Sequence, residues 1–295
     1  MSRMEQSRPA SPCVGACVVD DAAGLCTGCA RSIDEITAWS GLGEAARTAI
    51  WAELPARAAA LGLAVRRLSW RGPDLLDQVE QRFAAAAGTF VVGVYGAVAE
   101  VLRDPDEPFE ASRDALTLTL RTRRAALRLE APAHLAAFEI DRPGRAPLIA
   151  LAVPAGRAGP AGPSVLTALG PDAEALLDRD AGGVLFDVGL GRRAARFSIR
   201  CSQALTAQIM EHCGTPWPQG LYRIGAAAVA ESPVRVVEAP CARAEIDAVI
   251  PPPGGSSPEG PHTHLLPDFV AQGFDTPPTI PLPKGYLLSV LFYPG

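Results

Sequence analysis

The chain has 295 residues, a formal charge of −5, and 20% charged residues against 48% hydrophobic ones. That length supports one large domain or two smaller ones with a sizeable core. The acidic balance argues against a nucleic-acid partner, which requires a concentrated basic face.

The opening "MSRMEQSRPASPC" has no apolar stretch, so no secretory signal is expected. The most apolar run, "TFVVGVYGAVAEVL", is shorter than the roughly 18 residues of a membrane span and ends in charge. The expected partner is an unidentified protein or small molecule, with neither nucleic acid nor membrane. The expected location is the cytoplasm, where clustered cysteines more often hold metal than form disulfides.

In chain order, residues 1–10 read as a flexible tail, 11–68 as a small helical unit carrying four cysteines, and 69–295 as a mostly antiparallel α+β domain. The small unit opens with "SPCVGACVVDDAAGLCTGC". Its spacing, Cys13-x3-Cys17-x8-Cys26-x2-Cys29, sets two close pairs either side of a short loop, with Gly15, Gly24 and Gly28 to bend the backbone. Four thiolates suit tetrahedral Zn²⁺ or an iron–sulfur cluster equally on ligand count. "SIDE" then matches a capping box at Ser32 and Glu35. A first helix follows with Ile33, Ile36 and Trp39 as its apolar stripe. A second runs from Glu44 to Leu61, with Ile50, Trp51 and Leu54 inward and Pro55 as a kink or restart. Arg31 has two readings, an exposed residue flanking the helix or a charge tuning a bound anionic centre, and the exposed one is the default.

"SWRGPD" marks the boundary. "PDLLDQVEQRFAAAAG" has the Pro start and Gly stop of a helix. Strand-like runs follow at "TFVVGVYG", "ALTLTLRT", "ALRLEAP", "LAAFEIDR" and "PLIALAVP", the last two joined by a turn at "IDRPGRAPL". "PDAEALLDRD" reads as a short helix. "GVLFDVGLG" and "AARFSIRCS" read as a strand pair, and "SQALTAQIMEHCG" as a helix capped by Ser202. "LYRIGAAAVA", "VRVVEAP", "ARAEIDAVI" and the terminal "GYLLSVLFYP" read as further strands. Separate helices among hairpin-linked strands point to an α+β class.

The stretch "SPCVGACVVDDAAGLCTGCARSIDEITAW" resembles domain-of-unknown-function family 1289, whose members are described as predicted iron–sulfur proteins. The match lies at Ser11-Pro12-Cys13, Cys17, Gly24, Cys26, Gly28-Cys29, Arg31, Asp34-Glu35-Ile36 and Trp39, with "AARTAIWAELPAR" similar to the family's second helix. It covers about a fifth of the chain. The resemblance implies a metal or cluster module and no particular activity. On it, the cofactor expected at Cys13, Cys17, Cys26 and Cys29 is an iron–sulfur cluster, with Zn²⁺ as the alternative.

"PEGPHTHLLPD" is the second feature. His262 and His264, at i and i+2 in extended chain, project to one side and could begin a metal site. Glu259, Asp268 and Asp275 are nearby carboxylates that could complete it, and His212 or Cys213 could arrive from the helix before them. Gly255, His262, His264 and Asp268 resemble part of a cupin pattern, but Pro261 and Pro267 interrupt it where cupin strands continue. The plainer readings are a substrate-binding loop or a structural turn. Cys201 and Cys241 read as buried small hydrophobes. His212 and Cys213 diverge by about 100° on a helix and make a poor catalytic pair. No nucleophile elbow, phosphate-binding loop or dinucleotide fingerprint occurs. Three functions remain in view: an iron–sulfur protein with a redox or sensing role, a zinc-stapled interaction module, and a metal-dependent enzyme using the His262/His264 loop.

Overall fold

The computed structural model describes residues 11–15 and 17–295, so the flexible tail expected at 1–10 lies outside the described residues. The chain begins with a small hairpin, β1 (Val19–Asp20) and β2 (Leu25–Cys26), and two helices, α1 (Ile33–Ala38) and α2 (Glu44–Ala60). Next come β3 (Val65–Arg67), α3 (Gly72–Ala84), β4 (Gly88–Val94), β5 (Ala97–Val101), β6 (Glu110–Arg113), β7 (Thr117–Arg121), β8 (Ala125–Glu130), β9 (Ala136–Arg142) and β10 (Arg145–Pro154). The remainder is β11 (Thr167–Pro171), β12 (Val184–Asp187), β13 (Arg196–Cys201), α4 (Gln203–Met210), α5 (Gln219–Glu231), β14 (Val234–Ala239), β15 (Ala242–Ile246), β16 (His262–Leu265), α6 (Pro267–Ala271) and β17 (Tyr286–Pro294).

The strands form a seven-stranded sheet, order β16-β5-β4-β17-β10-β9-β3, and an eight-stranded sheet, order β11-β12-β13-β14-β15-β8-β7-β6. Their ladders are antiparallel, so the class is α+β as expected. Alternation decides which face each residue takes. In β5, Ala97, Ala99 and Val101 are buried in the main core while Val98 and Glu100 turn to the opposite face. That core lies between the sheets, joining Phe90 and Val92 to Leu118, Leu127, Val237 and Ala244. Leu75, Leu76, Val79 and Phe83 of α3 close it. Burying such a side chain contributes about 1.5–3 kcal/mol, which makes this the dominant stabilising body.

The outer face of the seven-stranded sheet carries a second apolar layer, with Phe138, Ile140, Leu148 and Leu291 at its centre. Val14, Ile280 and Leu282 pack on it, so segments from both ends of the chain cover one sheet face. Arg67 Nη1 also donates to the Cys13 carbonyl oxygen at 3.2 Å. Residues 65–67, grouped by the sequence reading with the N-terminal unit, pair with β9 as the outermost strand of this sheet.

Four local expectations need correction. "LYRIGAAAVA" lies in helix α5, where Gly220, Ile224 and Ala228 recur every fourth residue as its buried line; the alanines favour helix over strand. "PDAEALLDRD" makes no helix beyond the strand end at Pro171. The Leu176 and Leu177 N–H groups donate to the Glu245 carboxylate at 3.0 Å, so they are not available to a helix. Pro55 sits inside an unbroken α2, and Ile33 of α1 is exposed rather than part of a buried stripe.

Candidate metal centres

The cysteine segment is shaped by its own backbone. Asp20 Oδ1 accepts from the Ala22 and Ala23 N–H groups at 3.1 and 2.8 Å, and Gly24 takes φ +65° to turn the chain. The pairing of Val19 with Cys26 then returns β2 alongside β1 and brings Cys17 Sγ to 3.9 Å from Cys26 Sγ. A tight turn from Cys26 to Cys29, closed by Ala30 N–H donating to the Cys26 carbonyl at 2.7 Å, sets the second pair. Ser32 follows as the α1 cap, with both arms of the capping box formed.

Backbone donors point at two of the sulfurs: Gly15 N–H to Cys13 Sγ at 3.3 Å and Gly28 N–H to Cys26 Sγ at 3.4 Å. Burial pushes the Cys26 thiol up, but the Gly28 N–H and its hydrogen-bonding neighbours, Cys29 and Cys17, outweigh that and hold it below the ordinary thiol range. Burial raises Cys29 against the opposing pull of Arg31. Cys17 is raised first by its bond to Cys26, and the charges of Cys29 and Cys13 add to this.

Arg31 is 2% exposed, which overturns the expectation of a solvent-facing residue. Its Nε donates to Cys29 Sγ at 3.4 Å, Nη2 donates to Ser11 Oγ at 3.3 Å, and the guanidinium lies over Trp39 at 4.7 Å. Nη1 is buried without a hydrogen-bond partner. A buried guanidinium with one unused donor beside a thiol group fits an anionic metal–thiolate centre, because each bound thiolate carries negative charge.

The second group forms on the other side of the chain's sequence. His262 lies directly opposite Glu100 in the β16–β5 ladder, and His264 lies two residues further along the same face. The His262 and His264 Nε2 atoms are 3.0 Å apart. Glu100 Oε1 is 3.3 Å from His264 Nε2 and Oε2 is 3.7 Å from His262 Nε2. The hydrogen bond with His264 holds Glu100 below the usual carboxylate range, and Glu100 raises His264 in turn. His262 Nδ1 meets the Gly260 carbonyl oxygen at 2.8 Å.

These three side chains form a group whose ligand atoms all lie within 4.8 Å of one another. The carboxylate is not one of those expected from sequence. Asp275 is engaged by Arg192 at 2.9 Å, and Glu259 and Asp268 stand outside the group. His212 and Cys213 follow α4, which packs on the eight-stranded sheet. Glu100 was missed because nothing links it to the histidines along the chain; its one signal was a lone charge in the apolar run "AVAEV".

Glu100 and His264 stand in the wall of a cavity of about 580 Å³ between the outer face of this sheet and the segment from Leu266 to Pro277. Val91, Val98, Phe269, Leu288 and Leu291 are among its apolar lining. The cover is held down at the β4–β5 turn, where Leu266 N–H donates to the Gly96 carbonyl at 2.7 Å and Tyr95 N–H to the Asp275 carbonyl at 3.2 Å. Elsewhere, burial pushes the Cys201 thiol up to about 12 and Cys241 up to about 11, which suits inert packing residues.

The fold and its two clusters define an α+β protein with a short cysteine-rich unit docked on a large antiparallel body. Residues 74–295, well over half of the chain, match the model of a family of unknown function, DUF6925, and the chain belongs to that family. Residues 11–58 match the model of a protein family of unknown function, DUF1289, in agreement with the resemblance carried by the cysteine motif. No curated protein and no solved structure matches the chain. No helix among the described residues is long and apolar enough to cross a membrane.

Proposed function

We propose that Cys13, Cys17, Cys26 and Cys29 hold an iron–sulfur cluster and that the protein has a redox or sensing role. The observation that carries this reading is Arg31, buried against Cys29 with an unused donor. Charge and hydrogen bonds beside cluster sulfurs tune its potential. The bound group would supply one-electron chemistry or a response to oxidant. The chain supplies the thiolates, the Gly15 and Gly28 N–H groups, and the cation. Among the described residues the unit's own apolar core is Ala30, Leu54 and Ala58, with Ile50, Trp51, Leu61 and Leu63 against it. Ordering backbone costs about 1–2 kcal/mol per residue, so a bound metal group accounts for stability that this core lacks.

A zinc-stapled interaction module is the second reading, and the 3.9 Å separation of Cys17 and Cys26 supports it. Two thiolates each about 2.3 Å from one tetrahedral ion lie about 3.8 Å apart. The same spacing suits one iron of a two-iron cluster, which takes two thiolates per metal. Anaerobic purification decides between them. Brown protein with iron and acid-labile sulfide, whose midpoint potential falls in Arg31→Gln, supports the redox reading. Colourless protein with stoichiometric zinc overturns it.

A further inference from the structure

We infer that Glu100, His262 and His264 form a second metal site, binding a divalent first-row transition ion and presenting it to the apolar cavity as the anchor for a small, largely apolar molecule with an oxygen donor. This site is independent of the cysteine centre.

Three observations converge. The first is distance. Two nitrogens each about 2.1 Å from one ion, at a right angle, lie about 3.0 Å apart. The two Nε2 atoms already stand at 3.0 Å, with carboxylate oxygens at 3.3 and 3.7 Å.

The second is the tautomer. The Gly260 carbonyl only accepts, so at 2.8 Å from His262 Nδ1 it requires the proton on Nδ1. In the neutral ring the His262 Nε2 then carries a lone pair, directed at His264 Nε2 across the 3.0 Å contact. Metal-bound histidines characteristically have their other nitrogen held in this way.

The third is the surroundings. Two imidazoles and one carboxylate leave coordination positions open, and this donor set suits zinc, iron, nickel or copper better than calcium or magnesium. Glu100 and His264 line the cavity, whose volume of about 580 Å³ is in the range of small-molecule sites. An apolar body would lie against Val98, Phe269 and Leu291, with an oxygen at the ion. The competing arrangement is a plain His–His hydrogen bond beside an acid, with no ion.

The test uses full-length protein stripped by chelator and titrated with Zn²⁺, with metal content measured after gel filtration. The Cys26→Ser/Cys29→Ser variant should still bind zinc, and adding His262→Ala and His264→Ala should abolish that binding. Unchanged zinc content after the histidine substitutions overturns the site, whatever the cysteines hold. Should the histidine variant fail to fold, Glu100→Gln and the Co²⁺ spectrum take over. The cysteine variant should then show a cobalt spectrum of nitrogen and oxygen ligation that Glu100→Gln weakens. No cobalt spectrum in the cysteine variant overturns the proposal. Benzohydroxamate probes the cavity: it should perturb the cobalt spectrum, and Val98→Phe should remove that perturbation while cobalt stays bound. An equal perturbation in Val98→Phe overturns the cavity assignment.

Discussion

His262 and Glu100 are direct cross-strand partners, and their side chains leave the seven-stranded sheet on the same outer face. Strand geometry makes this relationship all-or-none, since a slip of one residue in β16 would turn His262 and His264 towards the other face. The register is pinned at one end, where Leu265 pairs with Ala97 and the next N–H, that of Leu266, reaches Gly96. Site and cover therefore share one fastening.

Gly96 should be sensitive to substitution for that reason. It adopts φ +87°, and an added Cβ would stand 2.7 Å from Phe269 Cβ and 2.8 Å from the Val270 nitrogen. Gly96→Ala is expected to cost about 1–3 kcal/mol and to lift α6 from the hairpin. Limited proteolysis should then cut faster between 266 and 282. Gly144→Ala, at a similar φ of +72° but with open space around it, should cost about 1–2 kcal/mol without faster cutting there. Equal cutting in the two variants would refute the fastening.

The buried charges predict a contrast between two arginines. Arg200 Nη1 donates to Asp172 at 2.8 Å and to Glu245 at 2.9 Å, and Arg243 bonds the same two carboxylates. Removing one member leaves buried charge undercompensated, so Arg200→Met should lower stability by about 3–5 kcal/mol. Arg128 pairs with Glu174 at the surface, and Arg128→Met should change stability by no more than about 1 kcal/mol. Urea unfolding midpoints measure both.

Asp187 should make the folded state less stable as pH rises. Its Oδ1 accepts from Gly189 N–H at 2.8 Å, whereas Oδ2 is buried without a partner. Burial raises its pKa from 3.8 to about 6, with Glu238 adding to the effect. The folded state thus holds its proton more tightly than the unfolded chain does. The resulting penalty is absent below pH 3.8, grows as pH climbs to about 6 and is constant above that. At one pKa unit per 1.36 kcal/mol it reaches roughly 3 kcal/mol. Asp187→Asn keeps the acceptor for Gly189 and should flatten this part of the profile, gaining stability at pH 8 but not at pH 4. Parallel thermal melts at the two pH values test it; an equal change at both would count against the assignment.

Metal removal should act locally. Chelation is expected to expose the amides of α2 to hydrogen exchange while β4, β10 and β17 keep their protection, because Ala30, Leu54 and Ala58 form a core separate from the main one. Loss of protection in both regions at once would show that the unit and the body unfold together.

Much of this was legible along the chain because it depends on neighbours in sequence. The capping box at Ser32 and Glu35, the Ser202 cap and the β9–β10 hairpin all formed where their residues indicated. The failures share a cause in distant partners. Residues 171–180 have the composition of a short helix, yet Glu245 takes the N–H groups of Leu176 and Leu177 from a separate strand. Arg31 has the look of a solvated charge until Trp39 and Cys29 enclose it.

The two candidate metal sites divide along the same line. Cys13, Cys17, Cys26 and Cys29 fall within 17 residues, so their spacing suggests a set without any distant partner, and the hairpin brings Cys17 and Cys26 of that set to 3.9 Å. Likewise, the i, i+2 spacing already put His262 and His264 on one side of an extended strand. Their third member, Glu100, is 162 residues from His262 and joins them only through the β5–β16 ladder. Turn chemistry is written locally, whereas strand register is settled by which apolar faces the whole chain manages to bury.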